Sequence, residues 1–197
     1  MKTKMWAIIL IGVLLMSGIF AGAVIAKQSK GEGPVAKGRN GQAGKSHIAH
    51  LFLVEKDPDT WEVVRNGSWG RMKYILEGPE FDFIFNGHRL EPSENYTLIY
   101  YPDPWPGNNL TCLGNATTDE NGNVHIKGSV NTSDLPSESD ENFPDGAKIW
   151  LVLSSDVDND SDIPHMVGWN PTEYLFEYDL INYIYNAIKN RSWHRFR

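Results

Sequence analysis

Apolar and polar residues alternate along most of the chain after residue 50. Val124, Ile126 and Val130 alternate with His125, Lys127 and Ser129, the period of two that gives an extended strand one buried and one wet face. Phe81, Phe83 and Phe85 share a face in the same way. Residues 96–101, YTLIYY, are apolar on both faces, which predicts a strand in the middle of a sheet. Residues 147–153, AKIWLVL, form the most continuously apolar candidate strand. Further strands are predicted over 51–54, 61–64, 69–76 and 174–180.

Turn signals separate these runs: Asp57-Pro58-Asp59, Asn66-Gly67, Asn86-Gly87 and Asn121-Gly122. Asn followed by Gly tolerates positive φ at both positions. Asn121-Gly122 is therefore expected to close a two-residue type I′ hairpin between residues 116–118 and 124–127. Turns at this spacing suit sandwiches and barrels. No ten-residue helical period falls between the strands, so parallel βαβ units are not expected. The predicted fold is all-β, a single antiparallel β-sandwich of the Ig-like or prealbumin-like kind, over residues 51–182.

Both ends depart from this pattern. Lys2 and Lys4 precede an apolar run from Trp6 to Ile25, with small residues before Lys27. Residues 1–26 therefore read as a signal peptide or a retained hydrophobic anchor helix, and either one exports the rest. Residues 27–50 carry five Gly, five Lys or Arg and one Glu, the composition of a flexible basic linker. His47 and His50 lie three apart, but two histidines alone make no metal site. Ile181, Ile184, Tyr185 and Ile188 fall on one helical face, which predicts a short amphipathic helix and a basic tail over 183–197.

The overall charge of −7 hides this division. Residues 51–182 hold seven Lys or Arg against 24 Asp or Glu, a net of −17. Such a domain repels nucleic acid and anionic surfaces, and attracts cations and basic partners. The membrane is expected to meet the chain through its N-terminal segment, or through the basic tail. Cys112 is the only cysteine, so no internal disulfide forms. Flanked by Leu110 and Leu113, it reads as an inert, buried thiol. Asn-x-Ser/Thr sequons stand at Asn66, Asn95, Asn109, Asn115, Asn131, Asn159 and Asn190, and an exported chain is open to glycosylation at them.

Two stretches carry candidate chemistry. In YPDPWPG, residues 101–107, three prolines stop any ladder and stiffen the backbone. Tyr101, Asp103 and Trp105 are expected to be presented there, and with Trp169 they are the candidate ligand-binding residues. Asp156, Asp158, Asp160 and Asp162 alternate in one loop. They are the candidate metal ligands, with Ca²⁺ as the cofactor such hard oxygens suit. The loop departs from an EF-hand at Ser161 and Val167, and the alternative reading is a merely solvated acidic loop. The sequence holds no G-x-S-x-G elbow, phosphate loop, zinc spacing or H-E-x-x-H, and no catalytic residue is assigned.

Four blocks carry a resemblance: WEVV at 61–64 with WGRM at 69–72, YTLIYYPDPWPG at 96–107, DGAKIWLV at 145–152 and GWNPTEYLFEYDLI at 168–181. Over roughly residues 51–183 the chain resembles a family of uncharacterised secreted proteins from methanogen-type archaea. The resemblance implies an exported archaeal domain and carries over no site residue. The turn at 119–124 also resembles that of prealbumin-like and adhesin-type surface modules, which implies a β-sandwich. The expected function is a non-enzymatic interaction module of the cell surface, with a surface protein or glycan as partner. The alternatives are a carbohydrate-binding or carbohydrate-processing domain, and an envelope component organised by Ca²⁺.

Overall fold

The computed structural model describes residues 47–187. The predicted export segment, most of the linker, the tail from residue 188 and Asn190 lie outside the described residues. The strands are β1 (Ile48–Val54), β2 (Trp69–Ile75), β3 (Glu77–Gly78), β4 (Phe81–His88), β5 (Asn95–Tyr101), β6 (Thr111–Thr117), β7 (Val124–Val130), β8 (Lys148–Leu153), β9 (Val157–Asp158), β10 (His165–Met166), β11 (Phe176–Glu177) and β12 (Ile184–Tyr185). The fold is an all-β sandwich of antiparallel sheets. The larger sheet runs β11-β1-β2-β4-β7 and the smaller β6-β5-β8.

The inward faces of the two sheets make the main core. Leu51, Met72, Phe83 and Phe85 from the larger sheet pack with Leu98, Tyr100, Ile149 and Leu151 from the smaller. Burying large aliphatic and aromatic side chains between two amphipathic sheets is the dominant stabilising term of such a layer architecture. As its two apolar faces predict, β5 is the central strand of its sheet.

Residues 175–181 stitch the sheets together along one side. Phe176 and Glu177 pair with Val54 and Leu53 of β1. Leu175 bridges Leu151 of β8, and Ile181 bridges Ala147 beside it. The segment thus divides its hydrogen bonds between both sheets, so only two of its residues count as strand, where a longer run was expected.

Five expectations change. The turn at Asn121-Gly122 is a corner between sheets and not a hairpin, because β6 pairs with β5 while β7 pairs with β4. Only Gly122 takes positive φ (+71°). Gly122 lies against the Leu90 backbone, whose N–H donates to the Gly122 carbonyl at 3.0 Å, leaving no room for a Cβ. Asn86-Gly87 lies inside β4, where Gly87 faces Gly70. A Cβ on Gly87 would press on Val124 and Leu90, so this glycine serves close packing and not a turn.

Residues 61–64 form no strand. The Asp57 carboxylate accepts the N–H groups of Asp59 and Thr60 at 3.0 and 2.8 Å, which winds the chain into a turn. Trp61 leaves that turn at φ +61°, and only Val63 bridges back, to Lys56. Among the described residues the helix expected from Ile181 does not form either. Ile181 and Tyr183 are buried while their neighbours are exposed, a period of two. Leu135 and Ala147 take up their backbone groups, and β12 then runs parallel to β3. Finally, β1 begins at Ile48, so the folded domain starts inside the segment expected to be linker.

Candidate functional site

The outer face of the smaller sheet is apolar as well. Ile99 and Tyr101 of β5 and Trp150 and Val152 of β8 point away from the main core. Residues 156–176 fold over them, adding Met166, Tyr174 and Phe176 to a second buried cluster. Trp150 is its centre. Tyr101 stacks on it with centroids 3.9 Å apart and planes 12° apart, and Phe176 meets it edge-on at 5.2 Å.

Three indoles form a ledge around this centre. Trp61 packs on Phe176 at 4.7 Å, and Trp169 lies 6.1 Å from Trp150. Trp105 meets Trp169 edge-on at 5.5 Å and 80°. All three remain substantially exposed: Trp105 at 52%, Trp61 at 45% and Trp169 at 44%. Exposed tryptophans held on a rigid base are the side chains that contribute most to recognition surfaces.

The YPDPWPG loop holds Trp105 outward. The bonds before Pro104 and Pro106 are cis, and Gly107 has φ +72° with Tyr101 filling the space beside it. Gly107 N–H donates to Pro104 O at 2.8 Å, and Met166 N–H to Pro106 O at 2.9 Å. Tyr101 itself is buried, contrary to the expectation that it is presented, because its ring is the stacking partner of Trp150. Burial, then the charges of Asp103 and Asp140, push its phenol up to about 12.

Carboxylates brace this arrangement from beneath. Asp103 is half-buried. It pairs with Lys148 and accepts the Asn142 amide at 2.7 Å, while its own N–H donates to Asp140 at 3.2 Å. Glu177 is buried, accepts the Trp150 indole N–H and faces Lys56 Nζ at 3.7 Å. Desolvation holds its carboxyl above the ordinary range, against the pull of Lys56. Lys56 Nζ also lies 5.4 Å from the Trp61 ring.

The four predicted metal ligands separate into different roles. Asp156 is buried and accepts the Tyr174 hydroxyl and the Asn170 amide, the latter at 2.8 Å. Its backbone oxygen accepts Val167 N–H at 2.8 Å and Gly168 N–H at 3.3 Å. Asp156 therefore fixes the loop that carries Trp169. Asp158 caps a local turn, accepting from the N–H groups of Asp160 and Ser161 at 3.0 and 3.1 Å. Asp160 and Asp162 are exposed. Among the described residues no three His, Cys, Asp or Glu side chains gather as a metal-ligand set.

No family model, curated protein or solved structure matches this chain.

Chemically, the ledge offers broad π faces on a base of compensated charge, because Lys56 and Lys148 each face a carboxylate. Trp61, Trp150, Lys56 and Glu177 belong to it without having been singled out from the sequence. One signal points to them: Glu177 interrupts the apolar run YLFEY, and an acid in a buried strand needs a polar partner. The six described sequon asparagines, Asn66, Asn95, Asn109, Asn115, Asn131 and Asn159, are all exposed. Cys112 is half-buried, and burial pushes its thiol pKa up.

Proposed function

We propose that this chain is an exported, non-enzymatic interaction module of the cell surface, and that its partner docks on the tryptophan ledge. The observation that carries the reading is the exposure of Trp61, Trp105 and Trp169 around the buried Trp150. A soluble β-sandwich has no packing reason to leave three indoles together in water, and such patches mark interaction sites. The bracing ion pairs lie under the ledge, and they hold it in one shape, which lowers the ordering cost of binding.

The test is cosedimentation of the protein with native cell-envelope preparations. Wild type is expected to sediment with them. Trp105→Ala and Trp169→Ala are expected to stay in the supernatant with unchanged melting temperatures. Undiminished sedimentation of both variants would remove the ledge from the reading.

A carbohydrate-binding role is the second reading, favoured by the exposed Trp105 and Trp169 rings. Their 80° angle means the pair offers two differently directed platforms and no single flat one. Quenching of tryptophan fluorescence by neutral oligosaccharides, lost in Trp105→Ala, would favour this reading over a protein partner.

A further inference from the structure

The opposite surface of the sandwich, the outer face of the larger sheet, has an unusual charge. The register aligns its side chains in rows across β1, β2, β4 and β7. One row is His50, Lys73, Ile84 and Lys127, and the next is Phe52, Arg71, Asn86 and His125. All eight residues are exposed, and neither row contains an acid. Three of the seven basic residues of this strongly acidic domain thus stand together on one face. Among the described residues, the ion pairs use Lys56 and Lys148 and none of these three. Arg71 lies over the Phe52 ring at 5.7 Å, and the His125 ring nitrogen Nδ1 meets Asn86 Oδ1 at 2.8 Å.

The face keeps a net positive charge, with Arg71, Lys73 and Lys127 set against Asp82 at its edge. Partial burial, then the charges of Arg71 and Lys73, hold the His50 imidazole below its ordinary value. Lys73 and Lys127 flank Ile84 two strand spacings apart, about 10 Å. Between them runs a groove of about 510 Å³ whose lining includes Ile48, Ile75, Ile84, Asp82 and Ser129. Like charges set close together on a sheet are unfavourable without an anion to face them.

We propose that this face binds a linear anionic polysaccharide, a sugar chain bearing carboxylate or sulfate groups, laid across β1, β2, β4 and β7. The surrounding charge selects the occupant. A membrane or an acidic protein surface is broad and would bring the domain's many carboxylates against its own charge. Nucleic acid concentrates charge more densely than three cations match. A narrow chain with spaced anions meets Arg71, Lys73 and Lys127, with Asp82 the one acid lining the groove. Ile84 and Phe52 receive the apolar faces of its rings, and Asn86 and His125 its hydroxyls. This surface is separate from the tryptophan ledge and does not depend on it.

The test is affinity electrophoresis of the full-length protein in gels containing polygalacturonate or dextran sulfate. Poly-L-glutamate gels and flotation with phosphatidylglycerol vesicles serve as comparison arms. Wild type is expected to be retarded by at least one of the two polysaccharides, and Trp105→Ala equally. Retardation is expected to weaken with salt, with Lys73→Gln/Lys127→Gln lowering the slope of log affinity against log salt by about two. Absence of retardation by both polysaccharides at low salt would overturn the proposal. So would retardation left unchanged in the double variant, which would place binding on the basic segments 27–50 or 183–197. Binding to poly-L-glutamate or vesicles without binding to either polysaccharide would replace the sugar chain with an acidic protein or a membrane, and would also overturn it.

Discussion

The indole N–H of Trp150 donates to the carboxylate of Glu177, and Lys56 approaches the same carboxylate at 3.7 Å. A buried acid thus lies within the aromatic cluster under the ledge. Its pKa is raised, chiefly by desolvation. The folded state therefore holds this proton more tightly than the unfolded chain, whose carboxyl titrates near 4.5. Glu177 supports the fold below that value and loses the contribution as pH rises through its folded pKa.

Glu177→Gln keeps an acceptor for Trp150 and removes the titration. Relative to wild type, the variant is expected to gain in melting temperature as pH rises above about 4.5, the unfolded glutamate value. Parallel curves for the two proteins across pH 4–8 would show that Glu177 titrates alike in both states.

Trp105 and Trp150 are expected to separate stability from recognition. Trp150→Ala opens a cavity in the second cluster and is expected to cost about 3–5 kcal/mol. Trp105→Ala removes an exposed ring and is expected to fall within about 0.5 kcal/mol of wild type. Urea denaturation of both variants measures the difference.

Asp156 is expected to act on Trp169 through the intervening loop. Asp156→Ala takes the carboxylate acceptor from the buried Tyr174 hydroxyl, leaving it the Asn170 N–H at 3.1 Å and a long 3.5 Å approach to Gly168 O, at a cost of about 1–3 kcal/mol. It also frees the Asn170 amide beside Trp169, while the backbone oxygen at 156 still holds Gly168 N–H. Faster proteolysis within residues 156–170 and a red-shifted tryptophan emission are expected, while Asp160→Ala changes neither.

Gly122→Ala tests the corner between the sheets. Its φ of +71° and its contact with Leu90 both oppose a Cβ. A loss of more than about 1 kcal/mol is expected from the backbone alone. Asn121→Ala, at a position without positive φ, is expected to cost less.

The strands were readable from periodicity because one face of each meets a core. The alternation in residues 81–85 and 124–130 and the double-sided burial of residues 96–101 carry over directly into β4, β7 and β5. Pairing was less readable. Asn121-Gly122 carries the chemistry of a hairpin, but its connection to Leu90 lies thirty residues back and has no local mark. Asn86-Gly87 carries the same dipeptide and serves packing instead. Ile181, Ile184 and Tyr185 satisfy a helical period only while Tyr183, which anchors on Gly78 O at 2.6 Å, is ignored. The prolines flanking Trp105 excluded it from a central ladder but left its ring two places, outward or plugging the core, and the ring is outward. The inward position of Tyr101 depended on Trp150, which arrives from a strand nearly fifty residues away.

The stitching of residues 175–181 into both sheets has a mechanical consequence. β1 is paired over seven positions with β2 on one side and held by β11 on the other. Antiparallel ladder bonds lie across the strand direction. A lengthwise tug on Ile48 therefore loads them together, in shear, and does not open them one after another. A domain tethered through its N-terminal segment would meet drag or traction at a strand fastened along both edges.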